Sequence, residues 1–590
     1  MLERVHNDTW INALGYANRL DVTNIDYRYL VAPSKNVIIE PLDTGSSRVM
    51  TRFGIKSCVQ VDNIADLKFM GSYKMIFNGK TRFYFSYLHK DIVTNTYNSL
   101  YLYEAVDTPC NAKSIKADVL TPSTNTDKVR FTEMQDNLNG KRYLIYAIGN
   151  TTIQIYDGSG ATTGFTQVLE PMTYGLGTGN NPITGIPNGA SPDVVPVGYT
   201  IDYIKVYNGQ LYIGSKNFRQ VYISKVGQYN NFEYSIPRVK GEGDFLLLDT
   251  NCRGFESDEN SMKILTSGDD IYQVTETNTQ GINEKLSLKK LKSSSGQGGI
   301  EQELVTKIKN GIMYVSNEKT VDILSNIESF SNTQAVPISD IVQVDFDNFD
   351  YTDASMFYHK RNVYFLFPKN TTIMIYNLER SMWQPPVELG INIAGLIADK
   401  DLLYGYEYIT DNLNGVRVFR MDCFNSYRKT DDSDYALDDD GAGYVCEIRT
   451  PYTHLGYRHH QKSHNEIFTE GYISENSKID MSCYYEYGGA KGIKEDTIYG
   501  TRQKDDKVDF IDKPIDTVSL GKAHLGKNNL SNKNFNILPK FHHGRTFTNK
   551  PEYYERQIGY KGDTYQQRWG IISFSTNQAR ANDTNFANRK

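Results

Sequence analysis

Short apolar runs alternate with polar turns along most of this chain, and the runs recur in pairs. A turn rich in Asn, Gly or Lys leads into an apolar-Tyr-apolar run, and a second run follows some ten residues later. The leading turns are Asn78-Gly79, Asn139-Gly140, Asn208-Gly209 and Asn310-Gly311, with looser copies at Asn362 and Asp401. Such pairs predict β-hairpins, and a hairpin recurring about every 40 to 70 residues is typical of a β-propeller.

Seven hairpins of this kind can be placed, which predicts a propeller of six or seven blades. They comprise residues 82–87 with 99–103, 141–147 with 152–156, 210–213 with 220–224, 262–265 with 271–274, 312–315 with 321–324, 363–367 with 372–376, and 402–404 with 416–419.

Composition agrees with an all-β chain. The 590 residues include 43 Tyr and 26 Phe but only 3 Trp, and aromatic side chains favour pleated strands. The first residues start no apolar run of the kind a secretory signal needs, and no run of about 18 apolar residues occurs to span a membrane. The cysteines are scattered without a close-spaced pair, which predicts free thiols rather than a disulfide scaffold or zinc site.

The hairpin pattern divides the chain. We expect an N-terminal arm over 1–55, the propeller over 56–430, an acidic linker over 431–443, and a C-terminal β domain over 444–590 that forms a β-sandwich platform. Within the C-terminal domain, residues around 500–550 are rich in Lys and Asn and predict an extended arm. A Gly- and Pro-rich stretch at 175–197 predicts a surface loop, which either contacts a partner or a passing polymer or is a mobile insertion.

The net charge of −6 conceals an uneven distribution. Residues 451–590 hold 21 Lys and Arg against 16 Asp and Glu, whereas residues 1–450 hold 43 against 54. An acidic body argues against wrapping DNA, because binding to DNA needs cations that neutralise phosphates. Like charge does suit a passage through which DNA slides without sticking.

Two clusters of residues are candidate metal sites. Aligned on Gly441 as the turn glycine, the aspartate run supplies Asp438, Asp440 and Glu447 at the spacing of a calcium loop, but Ala436 occupies the first ligand position, which favours a solvated linker. A histidine cluster follows, and its basic neighbours disfavour a cation and favour a partner-facing strand. Its candidate partner-facing residues are His454, Arg458, His460 and Lys462.

Catalytic signatures are missing from the sequence. It contains no repeated Ser-x-Asp-x-Gly-x-x-Trp box, no Gly-x-Ser-x-Gly elbow, no phosphate-binding glycine loop and no His-Glu-x-x-His helix. The sequence therefore predicts a protein that is not an enzyme and uses no cofactor.

Several segments of the sequence resemble segments of the tail nozzle proteins of short-tailed bacteriophages, also called tail tubular protein B or head-to-tail stabilisation proteins. The similar segments are residues 36–41 with 43–45 and 51–54, residues 207–214 with 221–227 and Asn231-Phe232, residues 310–318, and residues 555–560 leading to 571–574. Together these segments span most of the chain.

The resemblance implies a structural virion protein that forms a hexameric ring below the portal and adaptor, extends the DNA channel, and helps to retain and then eject the genome. The expected partners are further copies of the chain, the adaptor and portal, tail fibre or tail hub proteins, and double-stranded DNA in transit. The expected location is the virion tail, assembled in the host cytoplasm. We expect acidic turn residues to face the channel, namely Asp345, Asp347, Asp350 and Asp353.

Two other functions remain open from the sequence. A carbohydrate-binding or glycan-processing propeller would use exposed Tyr side chains to stack sugars in a central pocket. A cellular scaffold propeller would be a stable monomer with peptide partners.

Overall fold

The computed structural model of the protein describes most of the chain. The described residues are 5–10, 13–19, 25–41, 47–61, 67–77, 79–91, 96–110, 112–118, 128–149, 153–156, 165–167, 198–232, 241, 243–277, 285–291, 298–325, 334–410, 415–424, 438–452, 462–473, 478–487, 490–499, 540–546, 552–553, 555–563 and 569–580.

Six strands precede the first complete sheet, and they serve two different parts of the fold. They are β1 (Val5–Trp10), β2 (Gly15–Ala17), β3 (Tyr29–Val31), β4 (Val37–Pro41), β5 (Ser47–Thr51) and β6 (Lys56–Val61). The strands β2 and β3 form a small parallel pair of their own.

Seven antiparallel sheets, the blades, then follow one another along the chain. Blade one is β7 (Leu67–Phe77), β8 (Lys80–Asp91), β9 (Thr96–Val106) and β10 (Ala112–Asp118); blade two is β11 (Arg130–Gln135), β12 (Arg142–Ala147), β13 (Gln154–Tyr156) and β14 (Phe165–Gln167). Blade three is β15 (Tyr203–Tyr207), β16 (Gln210–Gly214), β17 (Gln220–Ile223) and β18 (Asp244–Leu247); blade four is β19 (Cys252–Ser257), β20 (Met262–Thr266), β21 (Ile271–Thr277) and β22 (Lys285–Leu291).

The remaining blades complete the set. Blade five is β23 (Val305–Ile308), β24 (Gly311–Val315), β25 (Val321–Ser325) and β26 (Gln334–Pro337); blade six is β27 (Ser355–His359), β28 (Asn362–Phe367), β29 (Thr372–Asn377) and β30 (Met382–Glu388). Blade seven contains β31 (Ile393–Asp399), β32 (Leu402–Glu407) and β34 (Val416–Arg420), while the short β33 (Ile409–Thr410) pairs with β7. Within the described ranges, the helices are α1 (Gln343–Asn348) and three 3₁₀ turns at Gln302–Leu304, Pro368–Asn370 and Asp422–Phe424.

The blades form a closed ring. The first strand of each blade contacts the first strand of the next, from β7 through β11, β15, β19, β23 and β27 to β31, and β31 in turn contacts β7. This cyclic order is the arrangement of a β-propeller, in which the first strands surround a central axis. The predicted all-β fold is confirmed, and the cyclic contacts of seven sheets among the described residues match the arrangement expected of a propeller.

A strand from the N-terminal side closes the ring. The fourth strand of blade seven is β6, which pairs with β34 although more than 300 residues separate them. The last blade is thereby completed by the chain that leads into the first, so the ring is held by backbone hydrogen bonds across its seam.

The recurrent turns join the first and second strands of the blades. At the β15–β16 turn, Asn208 and Gly209 both have positive φ angles, 49° and 73°. A two-residue hairpin turn with two left-handed residues matches the twist of the strands, and Asn-Gly adopts it at low cost. The repeated sequence feature therefore marks the connection between the first and second strands of several blades.

The remaining strands form a sandwich of two sheets. They are β35 (Val445–Arg449), β36 (Lys462–Ile473), β37 (Lys478–Tyr487), β38 (Ala490–Tyr499), β39 (Lys540–Thr546), β40 (Glu552–Tyr553), β41 (Glu555–Asp563) and β42 (Trp569–Arg580). One sheet has the order β35-β41-β37-β38 and the other the order β39-β36-β42-β5-β4, with β1 on β42 and β40 on β36. The hydroxyls of Thr469 and Tyr560 lie 2.8 Å apart and join the two sheets.

Residues 1–55 are not a separate arm, because β1, β4 and β5 are strands of the C-terminal sandwich. Trp10 pairs with Phe574, and Met50 pairs with Gly570. Strand edges carry unpaired backbone groups, and the N-terminal strands satisfy those of β42. Of the arm predicted around 500–550, residues 540–546 form β39; the rest of that stretch and the 175–197 loop lie outside the described residues.

One residue of the predicted acidic linker, Asp439, is buried in the fold, whereas residues 440–443 are exposed. The Arg52 guanidinium pairs with both carboxylate oxygens of Asp439, at 2.6 and 2.8 Å, and the two side chains are 0% and 1% exposed. The same guanidinium lies 3.5 Å from the centre of the Tyr444 ring. Asp438 accepts a hydrogen bond from the Gly441 backbone and Glu447 pairs with Arg449, so both carboxylates hold local structure.

The largest buried cluster joins the sandwich to blades five and six. It includes Trp569 and Met481 from the sandwich, Met313 from blade five, and Phe365 and Trp383 from blade six. Because one apolar core spans both regions, we expect them to unfold together. No helix among the described residues has the length and apolar character needed to cross a membrane.

A close approach of two backbones holds the blade one to blade two boundary. The Val129 amide donates to the Met70 carbonyl at 2.9 Å, and a Cβ on Gly71 would lie 2.2 Å from the Val129 carbonyl oxygen. We expect Gly71→Ala to lower the free energy of unfolding by about 1–3 kcal/mol, because the added methyl must push the strands apart. Gly390→Ala, whose nearest atom would be at 3.4 Å on an exposed turn, is the control. Urea unfolding of both variants checks the difference, and equal midpoints would contradict it.

Candidate functional site

The axial cluster is a set of charged side chains that gather where the first strands of the blades meet. Its members are Lys68, Lys128, Arg130, Arg253, Glu301, Glu303 and Asp353, which come from blades one, two and four and from the segments that lead into blades five and six. They form two halves, one around Asp353 and one around Glu301 and Glu303.

The first half is built on Asp353, whose left-handed backbone (φ 61°) turns the chain just before β27. Its carboxylate lies 2.9 Å from the Lys68 ammonium and 3.6 Å from that of Lys128, and it accepts a hydrogen bond from the Tyr408 hydroxyl. Burial alone would raise the pKa of Asp353, but Lys128, Tyr408 and Lys68 outweigh burial and lower it. Burial likewise lowers the pKa of Lys128, which Asp353 counteracts.

The second half is built on Arg130 of β11. Its guanidinium lies 2.8 Å from Glu303 and 3.4 Å from Glu301, and over the Tyr203 ring at 4.5 Å from the ring centre. The Tyr203 hydroxyl donates to Glu301 at 2.6 Å, and Arg253 pairs with Glu301 at 3.3 Å. Burial raises the pKa of Glu301 despite the opposing charge of Arg130.

The segment that carries these glutamates extends towards the centre of the propeller. Residues 302–304 contact β19 of blade four and β27 of blade six, the blades on either side of blade five. The Gln302 side chain donates to the Ile204 carbonyl of blade three at 3.1 Å, and a Cβ on Gly254 of blade four would lie 2.7 Å from the Gln302 Cα. The chain itself therefore fills part of the axial channel.

Residues 302–304 are called the axial plug below. Beside the plug lies a cavity of about 450 Å³, lined by β7, β11, β27 and β31 and by Gln302 and Glu303. Its wall is largely apolar, with Phe69, Phe131 and Met356 among the lining side chains. The Gln302 Oε1 atom is buried and accepts no hydrogen bond from the described residues. Within the same described part of the chain, no group of three or more His, Cys, Asp or Glu is placed to hold a metal ion.

The low pKa of Asp353 has a pH consequence. A carboxylate whose folded pKa lies below its unfolded value contributes stability above the unfolded pKa, about 4, and loses it as pH falls through the folded pKa. We expect Asp353→Asn to be less stable than the wild type at pH 7, and the difference to shrink between about pH 4 and pH 2. Thermal unfolding of both proteins across that range measures the gap. A constant difference would contradict the assignment.

The predicted channel aspartates do not share one surface. Asp345 is part-buried on α1 and accepts a hydrogen bond from the Asn18 amide at 2.7 Å, and burial raises its pKa. Asp353 is neutralised in the axial cluster. The expectation of free, channel-facing carboxylates is therefore wrong for these two, because the fold uses both inside. Asp347 and Asp350 are exposed, and for them it stays a prediction.

The predicted partner-facing residues cannot be placed in the same way. His454, Arg458 and His460 lie outside the described residues, and Lys462 is the first residue of β36, with only its backbone described. Their proposed role stays a prediction.

The axial cluster itself was not predicted. Arg130 and Glu303 are 173 positions apart, so no local pattern joins them. The sequence does contain one local signal, a pair of glycines shortly before two glutamates: Gly298-Gly299 and then Glu301-Gln302-Glu303. The glycines let the backbone pack closely, and the two carboxylates lie beside that point. A Cβ on Gly298 would lie 2.1 Å from the Thr266 carbonyl oxygen.

A second candidate site is the blade 1–3 patch, formed by three apolar side chains: Ile76, Leu138 and Val226. They are 58%, 76% and 40% exposed. Hydrogen bonds connect the turns that carry them: Arg142 donates to the Ile76 carbonyl at 3.0 Å, and the Asn137 amide donates to the Gly227 carbonyl at 2.9 Å. The three residues therefore form a row along three neighbouring blades.

Comparison with known proteins gives a likeness in solved structures only. No family model matches the chain, and no curated protein matches it. The similar solved structures include Raptor from Chaetomium thermophilum, at 10% identity and a TM-score of 0.38, where the match covers 63% of this chain and 29% of that one. Two structures of BBS1N in complex with ARL6DN, one soaked with mercury and one with lead, are also similar at 10% identity, with TM-scores of 0.34 and 0.37. These matches cover 63% and 64% of this chain and 97% and 99% of theirs.

Proposed function

We propose that this protein is a structural subunit of a bacteriophage tail, a nozzle that assembles as a hexameric ring and extends the DNA channel below the portal and adaptor. The observation that carries the ring is the blade 1–3 patch. Side chains such as Leu138, 76% exposed at the tip of a turn, gain nothing from that position in an isolated subunit.

A ring contact accounts for such a row of apolar side chains. In a closed ring, each subunit presents one surface to the next copy and receives a different surface on its other side. The blade 1–3 patch would be one of these two surfaces. Burial of its apolar area in the contact would contribute about 25 cal/mol per Å² to association.

The construction of the subunit supports a mechanical role. The propeller is closed by β6, the sandwich incorporates strands from both ends of the chain, and one core spans both regions. The axial cluster and Gln302 occupy the centre of the propeller with the chain's own groups. Such a subunit suits a conduit that must keep its shape under internal pressure.

The charge distribution supports the DNA passage. Residues 1–450 carry an excess of acidic side chains, and an acidic lumen would repel the phosphate backbone and let DNA slide. The exposed carboxylates of Asp347 and Asp350 are the candidates for this surface among the four aspartates.

Mass photometry of the purified chain, alone and mixed with a portal–adaptor complex, tests the ring contact. We expect ring-sized particles with the wild type and a shift to monomers with Leu138→Glu, because a buried carboxylate without a partner opposes association. Leu247→Glu, at a 50% exposed position on the outer strand of blade three, is the matched control and should still assemble. Assembly of Leu138→Glu at wild-type levels would remove the patch from the interface.

The two other candidate functions predict a different outcome. A carbohydrate-binding or glycan-processing propeller would be active as a monomer and would bind a glycan array. A cellular scaffold would stay monomeric and bind peptides. A monomeric wild type in both mixtures, with glycan or peptide binding, would replace the nozzle proposal with one of these.

A further inference from the structure

Two half-buried cysteines lie at the seam where the propeller ring closes. Cys58 is on β6, the closing strand of blade seven, and Cys110 is in the turn that joins β9 to β10 of blade one. Both pack against the same apolar cluster, and β6 contacts β10. The two residues are 52 positions apart in sequence but lie on neighbouring blades.

The backbone at Cys58 departs from the regular strand ladder. In the pairing of β6 with β34, Ser57 pairs with Phe419 and Val59 with Val418, so Cys58 is an extra residue in a β-bulge. A bulge interrupts the ladder and re-aims the side chain of the extra residue. The Cys58 and Cys110 thiols are close enough for each to shift the pKa of the other.

The surroundings of Cys110 favour its thiolate. Hydrogen bonding with Cys58 lowers the pKa of Cys110 against the effect of burial, and Thr108 and Arg420 lower it further. The pKa of Cys58 is raised, first because its proton is held by Cys110 and then by burial.

We propose that Cys58 and Cys110 form a redox pair whose disulfide staples the closing strand of blade seven to blade one. Hydroperoxides are the oxidant class. The Cys110 thiolate attacks one peroxide oxygen and the O–O bond breaks, which gives a sulfenic acid and releases hydroxide, or water once protonated. The Cys58 sulfur then attacks the Cys110 sulfur, its proton leaves with the sulfenic hydroxyl as water, and the S–S bond forms. Two thiols and one hydrogen peroxide thus give one disulfide and two waters.

The staple would act at the seam where the ring closes. There β6 is held to blade seven by its hydrogen bonds with β34, and β33 of the seam pairs with β7 of blade one. A disulfide would tie β6 to blade one as well, whether or not the protein works in a phage tail. Disulfides persist in oxidising surroundings and are reduced in a cytosol, so the staple would form after exposure to an oxidant.

Peptide mapping of the full-length chain tests the proposal. Reduced protein is treated with hydrogen peroxide, remaining thiols are blocked with N-ethylmaleimide, and the digest is analysed without reduction. We expect a linked Cys58–Cys110 peptide, the loss of two titratable thiols, and recovery of both with dithiothreitol. Treated wild-type protein in which these residues stay reduced, or end as separate sulfinic acids, would overturn the proposal.

Two variants separate the pair from general oxidation. Cys58→Ser should abolish the link and leave a sulfenic acid on Cys110 that dimedone captures, because the second thiol is missing. Cys252→Ser removes a fully buried thiol elsewhere in the propeller and should leave the link intact. Thermal unfolding supplies a further readout: oxidation should raise the melting temperature of the wild type but not of Cys58→Ser. An equal rise in both would contradict a staple at this seam.

Discussion

Asp439→Ala should destabilise the protein by about 3–5 kcal/mol, because it leaves a buried guanidinium without its carboxylate. The Arg52 side chain is 0% exposed and the Asp439 side chain, its bidentate partner, is 1% exposed. Water therefore cannot replace the lost carboxylate. The other Arg52 contacts are to neutral oxygens, namely the Asn36 side chain and the Phe53 and Glu388 carbonyls. They orient the guanidinium but supply no compensating charge.

Urea unfolding followed by tryptophan fluorescence measures this loss. Arg361 and Glu379 form an ion pair of the same type that is 69% and 55% exposed, and Glu379→Ala should change stability by less than about 1 kcal/mol. The double replacement Arg52→Met with Asp439→Leu removes both charges and should recover part of the loss. An Asp439→Ala protein as stable as the Glu379→Ala control would show that the Arg52 site does not secure the segment around residue 439.

Arg130→Ala should have an effect of similar size, about 3–5 kcal/mol, because it removes the cation between two glutamates in the axial cluster. Arg130 is 8% exposed in its side chain and pairs with both Glu301 and Glu303. Without it, the two glutamates, 34% and 17% exposed in their side chains, would face each other with Arg253 left on Glu301, and the stacking on Tyr203 would be lost as well. The segment that plugs the axis should loosen first.

Limited proteolysis and urea unfolding together test this prediction. Arg142, on the neighbouring strand of the same blade, pairs with Glu133 but is 43% exposed, so Arg142→Ala serves as the matched control and should be nearly neutral. New cleavage near residue 302 in Arg130→Ala alone would show that the cluster holds the plug. Wild-type protection and stability in Arg130→Ala would contradict that role.

The hairpins could be predicted from sequence because the second and third strands of a blade are buried on both faces. Strand β24 (Gly311–Val315) is buried at every position, and so is β16 (Gln210–Gly214). Such strands appear as short continuous apolar runs between turns. First strands such as β15 and β23 carry partly exposed positions, so their pattern is weaker.

The parts that sequence reasoning missed depend on pairing between distant segments. Nothing local indicates that β6 pairs with β34, or that Trp10 lies opposite Phe574. In the sequence, Arg130 is a single charged residue within a strand. Its ion pair with Glu303 forms only when the ring closes. By contrast, the exposure of Leu138 could have been recognised from sequence. A large apolar residue between Asn137 and Asn139 in a turn does not pack into the core of its own blade.

Electron microscopy of the purified chain mixed with a portal–adaptor complex decides whether this protein is a nozzle subunit. We expect class averages with a closed ring of this chain seated below the adaptor, with a continuous central channel and neighbouring subunits in contact through the blade 1–3 patch. Single propeller–sandwich particles that remain apart from the adaptor at every concentration would contradict it.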